Sequence, residues 1–470
     1  MKRDKLQDAI GMVDGDLVAR AGEMPARRQL PRWWRSAVAA MLAVAVLICA
    51  LWNISPLKGG YMIAEASYPI MAPYPNEEGS REDYDAWYAS VQERRQYYGA
   101  GAGLGDFLSS TVSTFLAGDE PKNRVFSPLN VYMALAMLAE VTDGESRAEI
   151  LTLLGSESIE ALRTQANAVW NANYCDDGTV TSLLGSSIWL DEDVTYEANT
   201  LKRLAEIYYA SSFQGEMGTD GYNKALAAWL NEHTGGLLSA YADSIELPPE
   251  TVMALATTMY YRAKWNQKFL SASNKKDQFY APQGELLCDF MNQTLYHGEY
   301  YWGEHFSATR KALVNSGYMY LILPDEGVSP AALLSDSEAL AFMTANGDWE
   351  NSSAVKLNLS MPKFDVDAST DLLAGLRRLG IKACLDPATA DFSPLSENNG
   401  QPIWLAGADH AARVIVDEDG IEAAAYTVMH ADSAPAAPGE EIDFILNRPF
   451  VFVITGADGL PLFVGTVYTP

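Results

Sequence analysis

The first strong feature in the pattern of apolar and polar positions is a run without any charge, residues 37–52 (AVAAMLAVAVLICALW). Extended to 36–54, it approaches the roughly 20 residues a helix needs to cross a bilayer. Arg27, Arg28, Arg32 and Arg35 precede it, only Lys58 follows closely, and Glu65, Glu77 and Glu78 come next. The positive-inside rule therefore predicts residues 1–35 in the cytoplasm, 36–54 as a retained signal anchor, and the rest outside the cell. Trp33, Trp34 and Trp52 stand where interfacial aromatics belong. From 59 to about 82 the pattern dissolves into Pro, Gly, Tyr and acids, and Pro69, Pro73 and Pro75 forbid a helix. Residues 55–99 are expected to form an extracellular linker with a short helix over 84–98.

Regular periods begin past residue 100. Helical spacing covers 104–116. Residues 131–139 are apolar almost all round and follow Ser127-Pro128, which predicts a buried helix with proline in its first turn. Further helices are expected over 147–154 and over 223–233, the latter stopped by Gly235-Gly236. Strand patterns occupy 183–190, 252–262, 318–323, 355–361, 413–416 and 449–453. Helices dominate early and strands late. That order predicts an α+β domain over 100–470, with a helical cluster on mixed sheets and no doubly wound parallel sheet.

Composition narrows the function classes. Among 470 residues, 33 Lys+Arg stand against 61 Asp+Glu, a formal net charge of −28. Clustered cations for nucleic acid are missing. A 48% hydrophobic and 20% charged chain can bury a core. Cys49, Cys175, Cys288 and Cys384 are scattered without C-x-x-C, so no zinc ribbon or dithiol motif exists. His233, His297, His305, His410 and His430 show no metal spacing, and neither G-x-S-x-G nor H-E-x-x-H occurs. No enzyme activity, metal or cofactor is expected.

Eight segments then stand in a telling order. Residues 123–130 (NRVFSPLN) resemble the N-x-x-F-S-P-x-S segment of serpins, 229–236 (WLNEHTGG) their W-V-x-x-x-T-x-G turn, and 260–265 (YYRAKW) their Y-F-K-G-x-W. Residues 323–327 (LPDEG), 362–364 (PKF), 390–393 (ADFS), 416–425 (VDEDGIEAAA) and 447–450 (NRPF) resemble further signatures of that family. The resemblance covers 104–470. It implies a fold of three sheets and many helices with an exposed reactive loop over about 417–446, and a protein that traps a serine protease, or alternatively a cysteine protease; a monomer is expected. It also implies a hinge at Glu418, Gly420, Ile421, Glu422, Ala423, Ala424 and Ala425. A sheet gate is implied at Ser127, Asn130, Thr257 and His410, with Trp265 where the loop first enters. Asn130 and Thr257 depart from the more usual Ser and Asn, and Ile421 from Thr or Ser. Counting fourteen residues from Gly420 puts the reactive bond at Ala434-Pro435, with Ser433, Ala436 and Ala437 as alternatives because proteases cleave poorly before proline.

The loop's own residues support strand insertion. Along 421–434 one alternating set is Ile421, Ala423, Ala425, Thr427, Met429, Ala431 and Ser433, all uncharged. The other set, with Glu422, His430 and Asp432, holds every charge or potential charge. As a strand, the first set faces a core and the second solvent. A one-residue slip would bury Glu422 and Asp432 at a cost of several kcal/mol. Proline is absent from 420–434 and returns at Pro435 and Pro438, as a central strand and its end require. Candidate cleavage residues are all small, which points to an elastase- or subtilisin-like target. The alternative reading is a non-inhibitory member of the family serving as a surface binding or structural module.

Overall fold

The computed structural model describes residues 61–75, 79–118, 120–396, 402–421 and 440–470. Residues 1–35, the expected anchor at 36–54, and Glu422, Ala423, Ala424, Ala425, Ser433, Ala434, Pro435, Ala436 and Ala437 lie outside the described residues. No helix among the described residues is long and apolar enough to cross a membrane.

In chain order the first half contains β1 (Tyr61–Ala64), α1 (Arg81–Arg95), α2 (Gly105–Leu116), β2 (Arg124–Phe126), α3 (Pro128–Val141), α4 (Gly144–Leu153), α5 (Ile159–Asn173), β3 (Cys175–Asp176), β4 (Val180–Asp191), α6 (Ala198–Ile207), β5 (Ala210–Gly215), α7 (Asp220–His233) and β6 (Met253–Lys264). The second half is strand-rich: β7 (Lys275–Ala281), β8 (Gly284–Trp302), β9 (Phe306–Ala312), β10 (Tyr318–Pro324), β11 (Ser352–Pro362), β12 (Phe364–Asp371), β13 (Asp409–Val416), β14 (Gly420–Ile421), β15 (Glu441–Ile445), β16 (Phe450–Thr455) and β17 (Pro461–Val467). The main sheet runs β1-β5-β4-β6-β14-β13-β12, with β3 paired to β4. The second runs β15-β11-β8-β9-β10-β16-β17-β2, with β7 paired to β8. Three sheets were implied, yet hydrogen bonding joins the latter strands into one. The cause is β8, whose nineteen residues pair in turn with β7, β11 and β9.

Helix α3 is the keel of the core. The side chain of Ser127 caps it by accepting from the Asn130 N–H, and Pro128 fills the first turn, where no backbone donor is needed. All of its residues but Ala134 are buried. Helix α3 carries one charge into this interior. Glu140 of α3 is fully buried, and it accepts a bidentate pair from Arg163 (2.7 and 2.8 Å), a bond from Arg203 Nε, and one from the Tyr208 hydroxyl at 3.3 Å. Burial opposes its ionisation, but the arginine hydrogen bonds outweigh it and hold the carboxyl below its ordinary range. The carboxylate thereby ties α3 to α5 and α6.

Residues 61–75, read from the sequence as part of a free linker, lie on the body instead. β1 pairs antiparallel with β5, and the Ala66 N–H reaches Ser211 Oγ at 3.1 Å. The Tyr68 ring stacks with Trp170, Tyr174 and Tyr209, themselves stacked on one another. Tyr74 meets Trp87 edge to face, and Trp87 donates to Asp177 at 3.0 Å. The prolines do exclude a helix there, but an extended chain with a tyrosine every few residues packs well on an aromatic surface.

Glu140→Ala is expected to lower stability by about 2–4 kcal/mol, because two arginines lose their shared anion. The urea midpoint should fall at constant slope; a shift worth under about 1 kcal/mol would mean the triad contributes little.

Candidate functional site

The site is an interval in the main sheet. β6 and β13 are both long strands, yet only the two-residue β14 stands between them, at one end. Gly420 pairs with Lys264, and Ile421 pairs with Ala263 on one side and Val416 on the other. Below that row no ladder joins β6 to β13 among the described residues. Strand edges without partners are a standing cost that a further strand would relieve.

The chain reverses into β14 through a tight turn. The Asp417 carboxylate accepts from the Asp419 N–H (2.9 Å) and the Gly420 N–H (3.2 Å), and the Asp417 N–H donates to the Gly420 carbonyl. Gly420 is required by proximity, since a Cβ there would lie 2.3 Å from the Ala263 carbonyl oxygen. Three hydrogen bonds from two residues of the segment after β6 grip this turn. The Trp265 indole donates to the Asp417 carbonyl at 2.8 Å, its N–H donates to Asp419, and the Phe269 N–H donates to Glu418. The Glu418 carboxylate takes Lys363 Nζ at 2.6 Å and the Asn274 amide. Burial opposes its charge, but Lys363 and Asn274 prevail and keep the carboxyl below its ordinary range.

Beneath the interval lies the N-terminus of α3, which touches both walls. The Ser127 N–H donates to His410 Nε2 on β13 at 3.0 Å, and the Asn130 amide donates to the Thr257 carbonyl on β6 at 3.2 Å. Ser127 Oγ also reaches Met259 Sδ at 3.6 Å. His410 packs edge to face on Phe126, and complete burial pulls its pKa down to about 4. The imidazole is therefore neutral and free to accept at Nε2.

A family model described as "Serpin (serine protease inhibitor)" matches residues 103–470. The chain belongs to the serpin family. It is 27% identical to a putative serpin-Z5 of Oryza sativa subsp. japonica, over 78% of this chain and 89% of that one. It is 25% identical to the leukocyte elastase inhibitor of Bos taurus, over 76% of this chain and 97% of that one. The crystal structure of the thermophilic serpin tengpin in its native state aligns with a TM-score of 0.71 at 23% identity, covering 88% of this chain and all of that one.

Of the residues singled out in the sequence, this serpin brings Ser127, Asn130, Thr257 and His410 together under the interval, and Trp265, Glu418, Gly420 and Ile421 together at its mouth. Ile421, the first member of the uncharged set, is 2% exposed. Lys311 was not anticipated. It is buried beside the mouth, its ammonium over the Trp265 and Phe269 rings and donating to the Gln267 carbonyl and the Gln293 amide oxygen. Burial pulls its pKa down to about 7. Asn274 and the Glu418 partner Lys363 were missed too. Lys363 sits in a quoted motif, but its partner is 55 positions away.

Two expectations follow. His410 is depressed from 6.5 to about 4, so the unfolded chain binds the extra proton between those values. Its contribution is complete above about pH 6.5 and is lost as pH falls to about 4, a total near 3 kcal/mol. His410→Asn should flatten that part of the stability–pH curve, and an unchanged slope would exclude the assignment. Lys363→Met removes a grip on the turn. It should speed conversion of the intact protein, incubated at 37 °C, into a heat-resistant form, scored by native gel; an unaltered rate would show that the ion pair does not hold the hinge.

Proposed function

We propose that this serpin is a suicide inhibitor of proteases with a preference for small side chains, held at the outer face of a cell membrane by residues 36–54. The observation that carries the reading is the interval between β6 and β13, whose mouth already holds Gly420 and Ile421 in strand register. Serpin loop insertion is itself a known case of strand addition. A protease attacks the loop near Ala434-Pro435, or at Ser433, Ala436 or Ala437, and forms an acyl-enzyme. The freed end then enters the interval before water can hydrolyse the ester, and the attached protease is carried along and distorted.

Energetics favour this course. About a dozen inserted residues add backbone hydrogen bonds at roughly 0.5–1.5 kcal/mol each, along with buried side chains. The gain is on the order of 10 kcal/mol, comparable with the stability of a whole domain. The uncleaved form therefore persists kinetically. Its barrier resides in the pinned turn and in the α3 contacts, which must give way as the interval fills. Insertion also requires the uncharged set to face inward. Ile421 sets that phase, so Ala423 and Ala425 follow it inward while Glu422 and Ala424 face out.

Mixing the protein with pancreatic elastase should give a covalent complex that survives boiling in SDS. Loop nicking alone should raise the melting temperature by tens of degrees. Ala423→Glu should turn the inhibitor into a substrate, cleaved with no complex, whereas Ala424→Glu should retain most trapping. Cleavage without a complex or a gain in heat resistance, across several small-pocket proteases, would favour a non-inhibitory surface module instead. Equal effects of the two substitutions would refute the phase assigned from Ile421.

A further inference from the structure

We propose that Lys311 positions the segment that grips the hinge turn, and that the protonation state of this buried amine sets how firmly the turn is held. Its part in trapping rests on the function proposed above, because that reading requires the hinge. The carbonyls of Asp417, Glu418 and Asp419 are each held by Trp265 or Phe269. Those two residues rest on Lys311. Its ammonium lies 5.4 Å from the centre of the Trp265 ring and 4.4 Å from that of Phe269, and it donates to the Gln267 carbonyl, between them, at 2.5 Å. A bond to the Gln293 amide oxygen anchors the amine to β8. The backbone just beyond Lys311 is tied to the same segment. The Asn266 N–H donates to the Ala312 carbonyl and the Val314 N–H to the Lys264 carbonyl, both at 2.9 Å. Lys311 thus touches both gripping rings and the chain between them.

The amine is 3% exposed and has no counter-charge. Among the described residues no carboxylate pairs with it. Gln293 faces it from β8, and Met319 pairs with it along β10. Arg310, next to it on β9, is turned to Glu299 and the Tyr318 ring. In the segment after β6, Lys268 is exposed, and Lys264 lies near Arg262, Lys268 and Asp419. Of the turn's acids, Asp417 accepts from the turn's own N–H groups and Glu418 from Lys363 and Asn274. Desolvation alone therefore lowers the Lys311 pKa from 10.5 to about 7. A neutral amine has two N–H donors for its two acceptors, whereas the ammonium brings a third donor and a charge into the same buried space. The rings covering it belong to the residues that hold the turn, so water reaches the amine when the grip slackens. In water its pKa returns towards 10.5, and the slackened form binds the proton more tightly than the gripped form. The gripped form is therefore favoured most above about pH 10.5, loses ground by about tenfold per unit as the pH falls towards about 7, and changes little further below.

Hydrogen exchange reads the grip without relying on protease trapping. Protection of the Trp265 and Phe269 amides in the full-length chain is measured from pH 9 to pH 6 and corrected for the intrinsic pH dependence of exchange. It should fall at least about threefold between pH 9 and pH 7.5, and about twentyfold where the slackened form fully hydrates the amine, with only about fourfold more down to pH 6. In Lys311→Met, uncharged at every pH, it should vary by less than about threefold over the whole range. Lys264→Gln removes the other amine whose pKa burial lowers and should keep the wild-type profile. A purely structural role for Lys311 would shift protection by one factor at every pH. A flat wild-type profile, or a slope that survives in Lys311→Met, overturns the proposal. Conversion of the intact protein at 37 °C into the heat-resistant form should accelerate along the same profile. Exchange that follows the profile while no heat-resistant form ever appears supports the role of Lys311 and overturns the inhibitory reading instead.

Discussion

Two strand edges held apart set the terms for the rest of the molecule. Beyond the β14 row, the backbone N–H and C=O groups of β6 and β13 that face the interval forgo, among the described residues, the ladder partner that a central strand normally has. Such a cost persists only where the surroundings enforce it. Here the enforcement is concentrated at two places: the pinned reversal at 417–420 and the first turn of α3. Both act on the same pair of strands, one at the mouth and one from below.

The pins are polar and local, whereas the helix beneath the interval is apolar and buried, and this division of labour matters. Helix α3 has almost no exposed surface, so it cannot drift to accommodate a new strand without disturbing the core. The contacts at its N-terminus are single hydrogen bonds, each modest in strength. On the proposed mechanism, insertion exchanges a few weak bonds for a long ladder. Lys311, seated against Trp265 and Phe269, stiffens the floor of the mouth with a buried amine.

Much of this was legible in the sequence where local chemistry decides the outcome. Ser127-Pro128 marks the start of α3 because a capping hydroxyl and a donor-free residue belong there. Alternation over 355–361 marks β11, although the strand extends to Ser352–Pro362. Gly420 stood out by its motif, and its structural reason, the nearby Ala263 carbonyl, is a contact across 157 positions. What stayed hidden depends on such distant partners. β1 is a strand only because β5 offers an edge 150 residues later. β8 mixes acids with aromatics, since its two ends face different neighbours, so no single alternation runs through it. Lys311 reads as an ordinary outward lysine in FSATRKA, and only the packing of two rings shows otherwise.

The order in which the chain is made gives this geometry a temporal side. β15 to β17, which fasten the far end of the loop to the second sheet, are the last strands synthesised. Residues 422–434 leave the ribosome before them and directly after β14. At roughly 5–20 residues per second, about 2–7 s pass between residue 434 and the end of β17. During that time nothing downstream holds the segment away. Restraint falls to the turn at 417–420, whose partners Trp265, Phe269, Asn274 and Lys363 have all been made by then. The turn at 417–420 therefore has all of these partners before the last strands of the second sheet exist.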